Sequence, residues 1–307
     1  MALTYNEISA TTERYFVPKL IDNIFGSNAL LQRIRNKKAY KPQDGGTMIV
    51  QPLLYAVTSA AGTYSGTDTL ATTANDQITA GAWTRAHYYS SITITHTDEL
   101  QNSGDAAVVD FVRSKVQAAE MTLSHNLGTG IYNVGTDDKA IIGLRLAVDS
   151  TGTYGGIDRS SYTWWSAQED STSTTLTLSL LQGLIGDCTV GNSKPTVIMT
   201  TQDIYDILMN LIEPQQRFAD EDTANAGFTN LRYAGIPVIV DSHCPASHMF
   251  LINENFLTLY YHPRDNFRFE PFVRPIDQAV ATARVYWAGQ MVINNCRMMG
   301  KFGAITA

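Results

Sequence analysis

The stretch from Asp105 to Leu127 reads DAAVVDFVRSKVQAAEMTLSHNL and holds neither Pro nor Gly. Within it Val108, Val112, Val116, Ala119, Leu123 and Leu127 recur at steps of four and three. Side chains at those steps share one stripe of an α-helix. Asp110, Arg113, Gln117 and Glu120 fall off the stripe, so the pattern predicts an amphipathic helix. Ser103 and Asp105 are candidate N-caps, and Gly128 and Gly130 are the expected stop. At about 1.5 Å per residue such a helix spans roughly 34 Å. That is about the width of a small domain, so the rest of the chain has to pack along it or hang from it.

The flanking segments read as such attachments. Residues 1–45 look like an arm. Their first 14 residues are polar, and Phe16, Val17, Leu20, Ile21 and Ile24 then form a short apolar pattern interrupted by Pro18. Gly26 breaks it, and Ser27 is the expected cap of a short helix from Asn28 to Arg35. A basic cluster follows at Arg33, Arg35, Lys37, Lys38 and Lys41. Charge runs are usually solvated faces; the sharper reading is contact with an acidic neighbouring subunit or with DNA. Residues 46–97 read as a long two-stranded excursion. Thr47–Tyr55 is rich in β-formers, and Tyr88–Thr97 alternates with the period of a half-buried strand. The 26 residues between Tyr55 and Ala82 are almost all small or polar, a length of loop that is usually functional.

After the helix the pattern is α/β. Helices are expected at Thr175–Cys188 and at Gln202–Leu211, the latter ended by Glu213-Pro214. A polar, mostly acidic loop follows at 215–230. Strands are expected at Pro195–Thr200, Ile236–Val240, Met249–Asn253, Phe256–Tyr261, Phe267–Phe272 and Ala281–Asn294, with a bulge at Gly289.

Of the 307 residues only 17% are charged, while 11 Phe, 15 Tyr and 4 Trp are present. A surface poor in charge and rich in aromatics resembles one that partners cover. A net charge of -7 argues against a whole-surface nucleic-acid binder, though not against a container whose wall need not grip its cargo. Cys188, Cys244 and Cys296 are odd in number and far apart, so free thiols are expected rather than a disulfide framework. The first residues lack the regions of a signal peptide, and no apolar run of about 18 residues predicts a membrane span.

Reactive chemistry has few footholds. Asp241-Ser242-His243-Cys244 sets an acid, a hydroxyl, an imidazole and a thiol side by side, but neighbours on a strand or turn point apart and do not converge as a triad. His243, Cys244 and His248 fall short of the four ligands of a structural zinc site. Asp137-Asp138 and Asp220-Glu221-Asp222 read as solvated loops before they read as cation sites. Gly152, Gly155 and Gly156 lack phosphate-loop spacing, and Trp164-Trp165 reads as a buried or interface anchor. No enzyme activity, cofactor or metal is therefore expected.

The order of arm, hairpin, long helix and α/β segment resembles the major capsid proteins of tailed double-stranded DNA phages, which have the Hong Kong 97 phage fold. The closing text RYAGIPVIVDSHCP, MFLINENFLTLYYHP and ARVYWAGQMVINNCRMMGKF is similar in style to that family's last strands. The resemblance implies an α+β fold with an N-terminal arm (1–45), an extended β-hairpin arm (46–97), a peripheral domain with the spine helix (98–135 and 263–307) and an axial α/β domain (136–262). It implies self-assembly into pentamers and hexamers of an icosahedral shell in the virion, assembled in the host cytoplasm around double-stranded DNA that is held by non-specific contact. Expected partners are further copies of the chain, a separate scaffolding protein and a portal, with room for a decoration protein and no membrane. Inter-subunit or DNA contact is expected at Arg33, Arg35, Lys37, Lys38 and Lys41. The alternatives are an encapsulin-type compartment and a cytoplasmic enzyme with a β-arm.

Overall fold

The computed structural model describes residues 23–101, 105–135, 137, 139–216 and 231–306; at 99–101, 105–110 and 213–216 only the helical backbone is described. The apolar residues expected at 16–21, the caps Ser103 and Asp105, and the acidic run at 220–222 lie outside the described side chains.

The elements run, in order, α1 (Ala29–Asn36), β1 (Tyr40–Pro42), β2 (Met48–Leu54), β3 (Ile78–Thr84), β4 (Ala86–Thr95), α2 (His96–Gln101) and the long helix α3 (Asp105–Ile131). Then come α4 (Leu144–Ala147), β5 (Thr153–Tyr154), β6 (Ile157–Asp158), β7 (Gln168–Asp170), β8 (Thr174–Thr175), α5 (Leu178–Asp187), β9 (Val197–Thr200) and α6 (Gln202–Gln216). The chain finishes with β10 (Arg232–Tyr233), β11 (Ile236–Val240), β12 (Met249–Ile252), β13 (Leu257–Val273), β14 (Val280–Ile293), β15 (Gly300–Phe302) and β16 (Ile305–Thr306).

The predicted stripe is the buried face of α3: Val112, Val116, Ala119, Leu123 and Leu127 are each at most 6% exposed. The helix does not stop at the glycines. It runs through Gly128 and Gly130 to Ile131, 27 residues or about 40 Å. These glycines are there for closeness. A Cβ on Gly128 would strike the Asn28 side chain and the His243 ring, and one on Gly130 would strike the Tyr88 hydroxyl. α6 likewise passes the expected stop at Pro214 and ends at Gln216.

Two sheets flank this rod. A four-stranded sheet of order β1-β13-β14-β4 packs on α3 through Ile92 and Ile94 of β4. A six-stranded sheet has the order β10-β11-β9-β12-β15-β7. Alternation along its strands splits its faces: Val197, Met199, Phe250 and Ile252 join the core around α3, while Ile198, Met249 and Leu251 meet α5 and α6 in a second core. α5 is capped at Thr177, whose hydroxyl accepts the Leu180 N–H.

Strand pairing corrects several sequence readings. The strand that returns the hairpin is β3, with Met48 opposite Thr84 and Leu54 opposite Ile78. Tyr88–Thr97, the expected return strand, contributes most of β4 and pairs with β14 in the main sheet. The two strands expected at Phe256–Tyr261 and Phe267–Phe272 are one irregular strand, β13, whose register slips between Tyr261 and Asn266. The extra residues bulge from β13 opposite Gly289 and Trp287 of β14, so the irregularity adjoins the expected position but lies on the partner strand. Further slips follow between Asn266 and Arg268 and between Glu270 and Val273. A Cβ on Gly289 would strike the Tyr260 carbonyl and the Trp287 ring. Residues 257–262 therefore join the main sheet, and 300–302 cross to the six-stranded sheet.

Candidate assembly surfaces

The hairpin has one anchored face and one bare face. Ile49, Leu53 and Trp83 point inward and are at most 5% exposed. The Ala82 N–H donates to the Gly155 carbonyl at 2.9 Å, the Gln51 amide donates to the Tyr260 hydroxyl at 2.9 Å, and Tyr55 stacks on Trp164 with centroids 5.3 Å apart. Gly155, at φ +62°, lies so close beneath Trp83 that a Cβ would meet its ring at 2.7 Å. The opposite face carries Met48, Val50, Leu54 and Ile78, which are 48–72% exposed. Alternation along β2 produces this contrast, because successive side chains take opposite faces.

Beyond the last rung, where the Tyr55 N–H meets the Gln77 carbonyl, the tip runs without ladder bonds. It is organised locally instead. The Asn75 side chain donates to the Val57 carbonyl at 3.1 Å and accepts from the Ser59 N–H at 3.2 Å. A turn at Gly66 closes with the Ser65 N–H on the Asp68 carboxylate at 2.8 Å. Val57, Tyr64 and Leu70 stay exposed on it.

A groove of about 610 Å³ lies between β4 and α3. Residues 87–93 form one wall, and Lys115, Ala118, Ala119, Thr122 and Asn126 form the other. β4 is the edge strand of its sheet, so this groove contains an open strand edge.

The basic cluster divides. Arg33 is committed within the chain: its Nε and Nη2 donate to the two Glu254 carboxylate oxygens at 2.7 and 2.8 Å. Burial favours the neutral acid at Glu254, but hydrogen bonds from Arg33 and Thr196 prevail and hold its carboxyl below the usual glutamate range. Arg35 lies 5.4 Å from the Phe25 ring centroid. Lys37, Lys38 and Lys41 are exposed. The residues thus occupy the end of α1 and the start of β1, with the lysines turned outward. Sequence reasoning missed the Arg33 role because Glu254 is 221 residues away.

Around Asp241 the side chains build a joint. Its carboxylate accepts the Tyr132 hydroxyl at 3.0 Å and the His243 backbone N–H at 2.9 Å. The Cys244 thiol donates to the His248 carbonyl at 3.7 Å, and burial pushes it up to about 12. Burial likewise pushes Cys188 and Cys296 up to about 12, so these thiols stay protonated at neutral pH. The arm is tied to α3 nearby: the Asn28 amide donates to the Ser124 carbonyl at 3.3 Å and to the Ile24 carbonyl at 3.1 Å. Asn28, not Ser27, takes the N-cap position of α1; its side chain caps nothing there and is spent on this tie.

Residues 112–278 match the model of the family described as SU10 major capsid protein. Among solved structures the chain is similar to the capsid asymmetric unit of cyanophage A-1(L), at 19% identity and a TM-score of 0.68 over 87% of this chain and 90% of that one. It is also similar to the capsid of the native GTA particle, at 11% identity and a TM-score of 0.62 over 88% and 89% of the two chains. A third similar structure is the holo-SrpI encapsulin complex from Synechococcus elongatus, at 10% identity and a TM-score of 0.56 over 87% and 84%. Among curated protein sequences none matches the chain.

Proposed function

The chain belongs to the SU10 major capsid protein family, and from that premise we propose that its copies form pentamers and hexamers that close into an icosahedral shell around double-stranded DNA. Its role is structural. The observation that carries the reading is the hairpin: its root is locked into the core while Met48, Val50, Leu54 and Ile78 stand bare on the other face. An exposed apolar strip on a projecting arm marks a surface that a partner covers. In this reading the partner is a neighbouring subunit over which the hairpin reaches. Standard interfaces bury about 1,600 Å² in total, and closure multiplies modest contacts through multivalency.

The division of labour follows the two sheets. The arm and the four-stranded sheet with α3 form a peripheral frame, and the six-stranded sheet with α5 and α6 forms the axial part near the capsomer centre. Lys37, Lys38 and Lys41 serve contact with an adjacent subunit or with packaged DNA. A separate scaffolding protein and a portal complete assembly in the host cytoplasm.

Electron microscopy of the chain expressed alone, then with its neighbouring genes, tests this. Closed shells or capsomer rings are expected. Monomers under both conditions would sink the shell. The encapsulin likeness is one of fold; shells filled with an enzyme instead of DNA would turn the reading to a protein compartment.

A further inference from the structure

We infer that His125 and His243 bind one divalent transition-metal ion, zinc being the ion used to test it, where α3, the arm and the turn after β11 meet. The site lies within one chain and does not depend on the shell reading.

The first observation is the pair itself. His125 is on the exposed side of α3, and His243 stands in the turn that follows β11. Their ring centroids are 5.4 Å apart and their planes 48° from parallel. Two imidazoles on one tetrahedral zinc, at about 2.0–2.1 Å per Zn–N bond, hold their centroids roughly 5 Å apart. His125, as an exposed side chain, can turn a ring nitrogen to the ion without moving the backbone.

The second observation is how His243 is held. Its Nδ1 lies 3.4 Å from Asp241 Oδ1 and 3.4 Å from the Ser242 hydroxyl. Asp241 is itself fixed by the Tyr132 hydroxyl and the His243 backbone N–H. Among the described residues no hydrogen bond engages Nε2. A carboxylate on one ring nitrogen, with the other nitrogen open, is how metal-ligating histidines are usually oriented.

The third observation is an orphaned oxygen at the same place. Asn28 is 1% exposed. Its amide nitrogen donates to the carbonyls of Ile24 and Ser124, which only accept, so the amide cannot flip. Its Oδ1 is therefore fixed, buried and without a hydrogen-bond partner. That oxygen and the His243 ring edge both face the bare Cα of Gly128, since a Cβ there would strike both. His125 lies three residues before Gly128 and so shares its side of α3. A buried acceptor left unpaired is costly, and a cation relieves it.

Among the described residues no set of three His, Cys, Asp or Glu side chains is placed to hold an ion. The four positions are therefore filled by two imidazoles, the Asn28 oxygen and a water, a donor set that suits zinc, copper or nickel. Such an ion binds only the folded chain and tightens the joint. The sequence hides the site because its ligands come from three distant segments.

The test is calorimetry on the full-length chain, stripped with a chelator and titrated with zinc chloride as free subunits or as particles. One zinc per chain is expected. His125→Ala and His243→Gln are each expected to weaken binding at least about tenfold, since even loss of a ligand's hydrogen-bond partner commonly costs that much. His87→Ala, at an exposed histidine elsewhere, is expected to bind as the parent does. X-ray absorption at the zinc edge is expected to show two imidazoles. If His243→Gln does not fold, His125→Ala decides, because that side chain is exposed. No zinc on the parent, or parental affinity in His125→Ala, overturns the site; the latter result would mean an adventitious ion only. A chain that binds zinc as expected but never assembles overturns the shell reading and leaves this inference standing.

Discussion

The His243 imidazole lies over Gly128, so close that a Cβ on the glycine would sit 2.7 Å from its ring carbons. The contact joins the end of α3 to the turn after β11, and Asn28 of the arm closes on the same glycine from another side. Three parts of the molecule therefore meet at one missing methyl group. Gly128→Ala is expected to destabilise the subunit by about 1–3 kcal/mol through overpacking, outweighing the roughly 1 kcal/mol of helix propensity that alanine adds. Denaturant melts of the two chains measure this; a variant as stable as the parent would show that the joint yields freely.

Arg33 and Glu254 form the second long-range tie, with side chains 26% and 3% exposed. Arg33→Ala leaves a buried carboxylate without its cation. The expected loss is about 2–3 kcal/mol, less than the roughly 3–5 kcal/mol of a fully buried pair because Arg33 is partly solvated. The pH dependence has a definite sign. A carboxyl whose folded pKa is depressed contributes stability that is present above the unfolded glutamate value, near pH 4.3, and is lost as pH falls through the lower folded value. The parent is expected to lose this contribution only below about pH 4.3, and Arg33→Ala to lose little there because most of it is already gone. Melting temperature against pH for both chains checks it; parallel curves would contradict it.

Removal of Gly62–Thr73 shortens the tip but spares β3 and the Asn75 staple. Loop-closure entropy varies slowly with length, so the subunit is expected to keep its stability within about 0.5 kcal/mol. Assembly is expected to fail. Sedimentation and circular dichroism on one preparation separate the two effects, and normal particles from the shortened chain would make the tip dispensable.

Lys37, Lys38 and Lys41 face solvent. Their joint replacement by Gln is expected to change subunit stability by no more than about 0.5 kcal/mol each. Shell yield or retained DNA is expected to fall, most visibly at low salt, where screening is weakest. Particles of parental yield and parental DNA content would return these lysines to an ordinary solvated face.

The parts of the fold legible in the sequence were those fixed by local periodicity. The stripe from Val112 to Leu127 is buried as its spacing predicts, and Tyr88–Thr95 alternates because it lies in a sheet with one buried face. The end of α3 was not legible, because Gly128 and Gly130 answer to Asn28, His243 and Tyr88, none of them adjacent in sequence. The true return strand ITAGAWT was hidden for a related reason. Gly81 weakens its pattern, and a Cβ there would run into the Trp83 ring, so the glycine makes room for the tryptophan that anchors the root. At the surfaces, the tip's composition announced an unusual loop, whereas the groove beside β4 arises only when strand and helix are brought together.

The place of β15 bears on how the protein is born. Gly300–Phe302 fills the slot between β12 and β7, so the six-stranded sheet is complete only when residue 302 has arrived. The hairpin is finished by Thr84. On the ribosome a sticky arm thus emerges long before the module that follows it can close. Chaperone protection during translation matters most in that interval, when neighbouring nascent chains of one polysome stand near each other. Closure of the six-stranded sheet therefore waits on residue 302, whereas the hairpin needs nothing past Thr84.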